Sequence, residues 1–189
     1  MKKNFKTLLI ILAVIIVITF PIVSGYNNLV SLDQKVANAS SNIDTNLQRR
    51  SDLIPNLVST VQGYASQEKE IFTEIAEARS KLSGATNVTD QANADSQLTG
   101  ALSRLLVVVE QYPTLKSNEN FIALSDELAG TENRIAIARQ DYNQSTTAYN
   151  TKRRKFPTNI LASMFNFDEK PLYKAADGAS EVPKVDFNR

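Results

Sequence analysis

The chain has no cysteine, no histidine and no tryptophan in its 189 residues. Without cysteine there are no disulfides and no thiolate nucleophile. Without histidine there are no imidazole zinc sites, no Ser–His pair and no Glu-x-x-His motif of the di-iron bundles. Asp, Glu, Lys, Tyr and Ser remain, so catalysis is poorly supplied rather than excluded, and no cofactor is implied. The lack of cysteine fits any compartment and weakly favours one where free thiols would be oxidised. Charge is also missing locally: no charged residue occurs in residues 7–32.

What is present begins at the amino terminus. Lys2, Lys3 and Lys6 precede "TLLIILAVIIVITFPIVSG", interrupted only by Thr19 and Pro21 within residues 8–23. Counted over residues 5–23, this run just reaches the length a spanning helix needs, about 20 residues with a floor near 17. A cleaved signal peptide is the rival reading, with Val23, Ser24 and Gly25 as a weak cleavage site. The length of the run favours an uncleaved anchor, and no Cys follows it as a lipoprotein would require. Three lysines lie before the run and only Lys35 among the first residues after it. The positive-inside rule then predicts a cytoplasmic amino terminus and an extracytoplasmic remainder, at the cell membrane. With the three leading lysines set aside, 18 basic and 20 acidic residues remain, a net charge of −2. Nucleic-acid affinity is built on phosphate neutralisation, so a nucleic-acid partner is not expected.

Beyond the apolar run the hydrophobic period is close to 3.6 for over a hundred residues. One stripe reads Leu29, Val36, Ile43, Leu47; a second Ile54, Leu57, Val61, Ile75, Leu82; a third Leu98, Leu102, Leu105, Val109; a fourth Phe121, Leu128, Ile135, Tyr142, Tyr149. Such stripes bury one helix face against another. Breaks are expected at Gly84, with Thr89 or Asp90 as the next cap, and at Pro113, with Ser117 or Asn118 as the next cap. A third break is expected in "NLQRRSDLIPN". Arg49 and Arg50 suit a helix carboxyl end, Ser51 or Asp52 an N-cap, and Pro55 a first turn. The alternative there is one helix kinked at Pro55.

The predicted fold is therefore all-α. Residues 1–25 form the cytoplasmic terminus and transmembrane anchor. Residues 26–155 form an antiparallel up-and-down four-helix bundle, and residues 156–189 an irregular tail with a short amphipathic helix over residues 158–165. In that arrangement the corner residues Arg49, Arg50, Asp52 and Asn56 share the membrane-distal end with Glu119 and Asn120, as a candidate interaction rim. Glu132 and Arg139 are seven apart and Asn143 four further on. With Glu68 and Arg134 they are candidates for a polar network that fixes helix register. Lys152, Arg153, Arg154 and Lys155 precede the amphipathic helix and are candidates for contact with anionic lipid.

Three blocks, "SNIDTNLQRRSDLIPNLVSTVQGYASQE", "EQYPTLKSNENFIALSDELAGTENRIAIARQDYNQSTTAYN" and "FPTNILASMFNFDEKPLYKAA…VPKVDF", occur in order and resemble the LemA family. The similarity covers essentially the whole chain after the apolar run. One departure is that the family carries a Trp just before the first block, where this chain has Ser40-Ser41. The resemblance implies a bacterial envelope protein with one amino-terminal span, a helical bundle and no settled enzymatic activity. Its motif residues here are Arg49, Arg50, Asp52, Pro55, Asn56, Glu132, Asn133, Arg134, Arg139, Phe156 and Pro157.

The expected function is that of a non-enzymatic scaffold for another envelope protein, tethered by the amino-terminal helix. The alternative is a lipid-binding or membrane-shaping module acting through the basic segment. A ligand sensor lacks a second span or an inner signalling domain. An enzyme would have to rest on carboxylates alone, for example around Glu68 and Glu132.

Overall fold

The computed structural model describes residues 2–174. Met1 and residues 175–189, the end of the expected tail, lie outside the described residues, as do the side chains of Lys2, Lys3 and Lys6. Among the described residues the chain is all-helical, with no strand. The elements are α1 (Lys2–Gln62), α2 (Lys69–Gly84), α3 (Val88–Val109), α4 (Pro113–Lys116), α5 (Glu119–Arg154) and α6 (Thr158–Met164). They fall into two compact units. One comprises Met1–Ser41 with Gln140–Leu172, the other Asn42–Arg139 with Tyr173–Arg189.

In the first unit α1 begins with the apolar run. The stretch from Leu9 onward is long and apolar enough to cross a membrane, and only 6% of its most apolar window is covered by the rest of the chain. Further along, Leu29, Val36 and Ala39 are buried, as are Tyr142 and Tyr149 of α5. The segment after α6 has no regular secondary structure and is fastened to α5 through its own backbone. Tyr142 Oη donates to the carbonyl of Pro171 (2.9 Å), Tyr149 Oη to that of Asp168 (2.9 Å) and Arg153 Nε to that of Phe167 (2.6 Å). Asn150 grips Lys170 from both sides: Nδ2 donates to its carbonyl (2.8 Å) and Oδ1 accepts its N–H (3.1 Å). Residues at 142, 149, 150 and 153 recur on one helix face, so a single face of α5 reads the segment.

In the second unit the buried stripe of α1 is Ile43, Leu47, Ile54, Leu57 and Val61. Also buried in this unit are Phe72, Ile75, Ala78 and Leu82 of α2, Leu98, Ala101, Leu105 and Val109 of α3, and Phe121, Ile135 and Ala138 of α5. Directions follow from the cross-links. Glu74–Arg104 and Lys81–Gln97 make α2 and α3 antiparallel. Asp44–Gln91 and Arg50–Thr99 make α1 and α3 run the same way.

The expected corner at Arg49–Asp52 is not there: α1 is one helix through Ser51, Asp52 and Pro55 to Gln62. A proline inside a helix removes the hydrogen bond to the carbonyl four residues back, a loss on the order of 3 kcal/mol. Here that carbonyl belongs to Ser51, and it accepts Arg79 Nε–H of α2 at 3.0 Å instead. The turn lies at residues 63–68, where Tyr64 N–H and Ala65 N–H both bond the carbonyl of Val61. The other breaks are close to expectation. α2 ends at Gly84, and the cap of α3 is Asn87, whose side chain accepts Asp90 N–H (2.9 Å), rather than Thr89 or Asp90. Pro113 opens the single turn α4, and Asn118 caps α5 by accepting Phe121 N–H at 3.1 Å. The expected short helix of the tail is α6.

Candidate functional site: a buried charge layer

The densest polar constellation lies inside the second unit. Arg50 of α1 is 4% exposed and Asp95 of α3 is 0% exposed. Arg50 Nη1 donates to Asp95 Oδ1 (2.7 Å) and also meets Glu132 Oε2 of α5 (2.7 Å). Arg50 Nη2 donates to Thr99 Oγ1 (3.0 Å), whose own hydroxyl donates to the carbonyl of Asp95 (2.9 Å). Arg139 pairs with the second oxygen of Asp95. The Arg139 guanidinium also lies 4.9 Å over the ring of Tyr173, which is 6% exposed. Asp95 Oδ2 and Glu132 Oε2 make ion contacts but no well-angled hydrogen bond, so charge rather than direction holds them.

Two guanidinium groups face two carboxylates, so the layer is neutral. Burial pushes the Arg50 pKa down, and the neighbouring Glu132 and Tyr173 work against that. Burial pushes the Tyr173 phenol up, with Arg139 opposing. Buried charge is tolerated only when paired, and here each charge has a partner on another helix. The layer joins α1, α3 and α5. Arg79 bonding Ser51 adds α2 at the same height, through the Nε–H shared by the carbonyl and Oγ of Ser51 (3.0 Å each).

A crevice of about 210 Å³ opens beside the layer, with Arg50 and Glu132 at one end and Leu57, Leu102, Leu106 and Leu128 along its walls. Among its hydroxyls, Ser103 Oγ donates to the carbonyl of Thr99, Thr99 Oγ1 to that of Asp95, and Ser125 Oγ makes no hydrogen bond. Among the described residues no three carboxylates converge as a metal ion would need.

The residues expected at a rim are not gathered. Arg50 is in the core. Arg49 is exposed and pairs with Glu127, and Asp52 accepts from Gln48 at 2.8 Å on its own helix. Asn56 is exposed on α1, while Glu119 and Asn120 are exposed at the start of α5. The loop that meets residues 112–118 is the one after α1: Gln67 donates to Tyr112 Oη, and Asn118 to Tyr64 Oη at 3.2 Å. Of the expected polar network, Glu132 and Arg139, both half-buried, pair with the buried Arg50 and Asp95. Arg134 instead stands 3.8 Å from Glu127, Glu68 heads α2 half-buried, and Asn143 belongs to the other unit. Of the basic cluster, Arg153 and Arg154 pair with Glu169, at 3.6 Å and 2.5 Å, while Lys152 is half-buried and Lys155 exposed. Asp95 and Arg79 were not singled out from sequence. Asp95 carried a signal, since it shares the apolar stripe with Ala92, Leu98 and Leu102 at helical spacing.

The LemA family profile matches residues 39–187. The chain belongs to the LemA family. That profile takes in the whole charge layer and the fastened segment. Among related proteins, magnetosome protein MamQ 2 of Paramagnetospirillum magneticum is 29% identical, with 94% of this chain and 75% of that protein aligned. Protein LemA of Metamycoplasma hominis is 28% identical, with 98% of this chain and 84% of that protein aligned. As a LemA-family member the chain adds to its profile-matched region an apolar helix that starts well before residue 39.

Proposed function

We propose that this LemA-family protein is a membrane-tethered, non-enzymatic helical bundle of the bacterial cell envelope that acts as an interaction scaffold for another envelope protein. In this reading the helices form an up-and-down four-helix bundle. The observation that carries the proposal is how its chemistry is distributed. The buried ionisable groups of the second unit are paired with one another, while the exposed large side chains described within residues 9–23 are apolar. A catalytic site would hold back a group of perturbed pKa in a cleft for its substrate. Here the groups beside the crevice are locked in a neutral pair. The three leading lysines favour a cytoplasmic amino terminus and an extracytoplasmic bundle.

The face offered to a partner is the exposed polar side of α1, with Arg49, Asp52 and Asn56. Reversing Arg49→Glu and Asp52→Lys leaves the core intact, because neither side chain is buried. The test is affinity purification of the full chain from detergent-solubilised native membranes. Loss of a discrete co-purifying protein in the charge-reversed variant supports the scaffold. An unchanged set of co-purifying proteins counts against this face. Recovery of the wild type in the soluble fraction counts against the tether.

A further inference from the structure

We infer that α6 is an interfacial foot: a short helix that lies in the headgroup layer of the bilayer and inserts Phe156, Ile160 and Met164 into its acyl boundary. The inference rests on the proposed tether, that is, on residues 9–23 spanning the membrane. It adds a second membrane contact made by a distant part of the chain.

Three observations within the first unit lead to it. The first is height. α6 packs on α1 at Gly25, where an added Cβ would stand 3.1 Å from Leu161 Cδ1 and 3.9 Å from Thr158 Oγ1. Gly25 is two residues past Val23, about 3 Å along the helix axis. A helix seated there lies level with the end of the apolar run. The second is orientation. Thr158, Leu161 and Ala162 are buried on the side that meets α1. Ile160 (51% exposed) and Met164 (68%) are four apart on the opposite side, and Phe156 (80%) is exposed in the turn that precedes the helix. A seven-residue helix with large apolar side chains facing outward is poorly suited to water and well suited to the acyl boundary. The third is the aromatic cluster at the same level. Tyr26 meets Phe165 and Phe167 edge to face, with centroids 4.9 and 5.7 Å apart. Aromatic rings concentrate at the membrane–water boundary.

The structure also redistributes the role expected of the basic cluster. Arg153 and Arg154 are turned to Glu169, and Arg153 additionally holds the carbonyl of Phe167. They fasten the chain that follows α6. The contact with lipid is therefore apolar first, with the exposed Lys155 beside Phe156 as its charged edge.

The chain has no cysteine and no tryptophan, so single probes report without background. The full-length protein is reconstituted into vesicles of phosphatidylcholine and phosphatidylglycerol. Bimane is placed at Val17→Cys, Ser59→Cys, Ile160→Cys or Met164→Cys and quenched by lipid-borne doxyl groups or by aqueous iodide. Doxyl quenching at 160 and 164 roughly threefold or more above that at 59 is the expected result, with 17 quenched most strongly. Quenching at 160 and 164 equal to that at 59, with 17 still lipid-quenched, overturns the foot and leaves the tether standing. Iodide access at 17 overturns the tether and the foot with it. Met164→Trp is an independent probe that adds no label. A blue-shifted emission in the same vesicles supports the foot, and a water-like emission overturns it.

Discussion

Arg79 Nε donates a hydrogen bond to the carbonyl oxygen of Ser51 at 3.0 Å, and that carbonyl is the one left without a helical donor by Pro55. The relationship explains how a proline sits inside α1 without breaking it. It gives a double-mutant cycle. Arg79→Ala strands a half-buried carbonyl and should cost about 1–2 kcal/mol. Pro55→Ala returns a backbone N–H to the same carbonyl, so Arg79→Ala in that background should cost clearly less. Chemical denaturation of the four proteins reads the coupling, and strict additivity would mean that the two residues do not share the carbonyl.

The charge layer gives a second prediction. Asp95→Ala removes the carboxylate shared by Arg50 and Arg139 and leaves the buried Arg50 only Glu132, so it should cost on the order of 3 kcal/mol. Glu127→Ala, which removes the exposed partner of Arg49, should cost about 0–1 kcal/mol. A calorimetric comparison of the two variants decides. Similar losses would show that the layer does not carry the register of α1, α3 and α5.

These two cases also mark what could be read in the sequence. The helical class, the apolar run, the breaks near Gly84 and Pro113 and the short helix after Pro157 follow from periodicity and from turn chemistry, which are local. The corner at Arg49–Asp52 was misplaced by more than ten residues because Pro55 is locally a helix-breaking residue and its compensation, Arg79, lies 28 positions away. Arg50 was visible as a candidate, yet its place was assigned to a surface. Its partner Asp95 is 45 positions off and lies one turn before the apolar stripe that begins at Leu98. Contacts of that range depend on which faces meet, and the period alone does not say.

Alkaline pH should loosen the segment fastened to α5. Burial and the nearby Asp33 hold the Tyr149 pKa above its ordinary value of 10.0. A phenol raised in the fold favours the protonated form. Its contribution is complete below the unfolded value and is lost as pH rises through the folded one. On the alkaline side, limited proteolysis after residue 165 should therefore rise only above about pH 10. Tyr149→Phe, which loses the bond to the carbonyl of Asp168, should be cleaved faster already at neutral pH, by about 1 kcal/mol of lost protection. Equal rates would mean that the bond does not hold the segment.

Acid acts on the same segment through the next residue. Glu169 is held below the ordinary carboxylate value of 4.5 by its hydrogen bond from Arg154 and by that charge. Its contribution is present above the unfolded pKa and disappears as pH falls through the lower folded one. Glu169→Gln should remove this acid-dependent step from a proteolysis profile recorded between neutral pH and pH 3 and leave the rest of the profile unchanged. A step of the same size in the variant would assign it to another carboxylate.

The central claim is that a membrane-held helical bundle meets another protein through its polar outer face. Site-specific photo-crosslinking of the full chain in its native membrane tests it most directly, with the photoreactive residue at position 17, 49, 52 or 56. The account predicts lipid adducts from position 17 and one discrete protein adduct shared by positions 49, 52 and 56. Water-quenched probes at position 17, or no protein adduct from any position on α1, would contradict it.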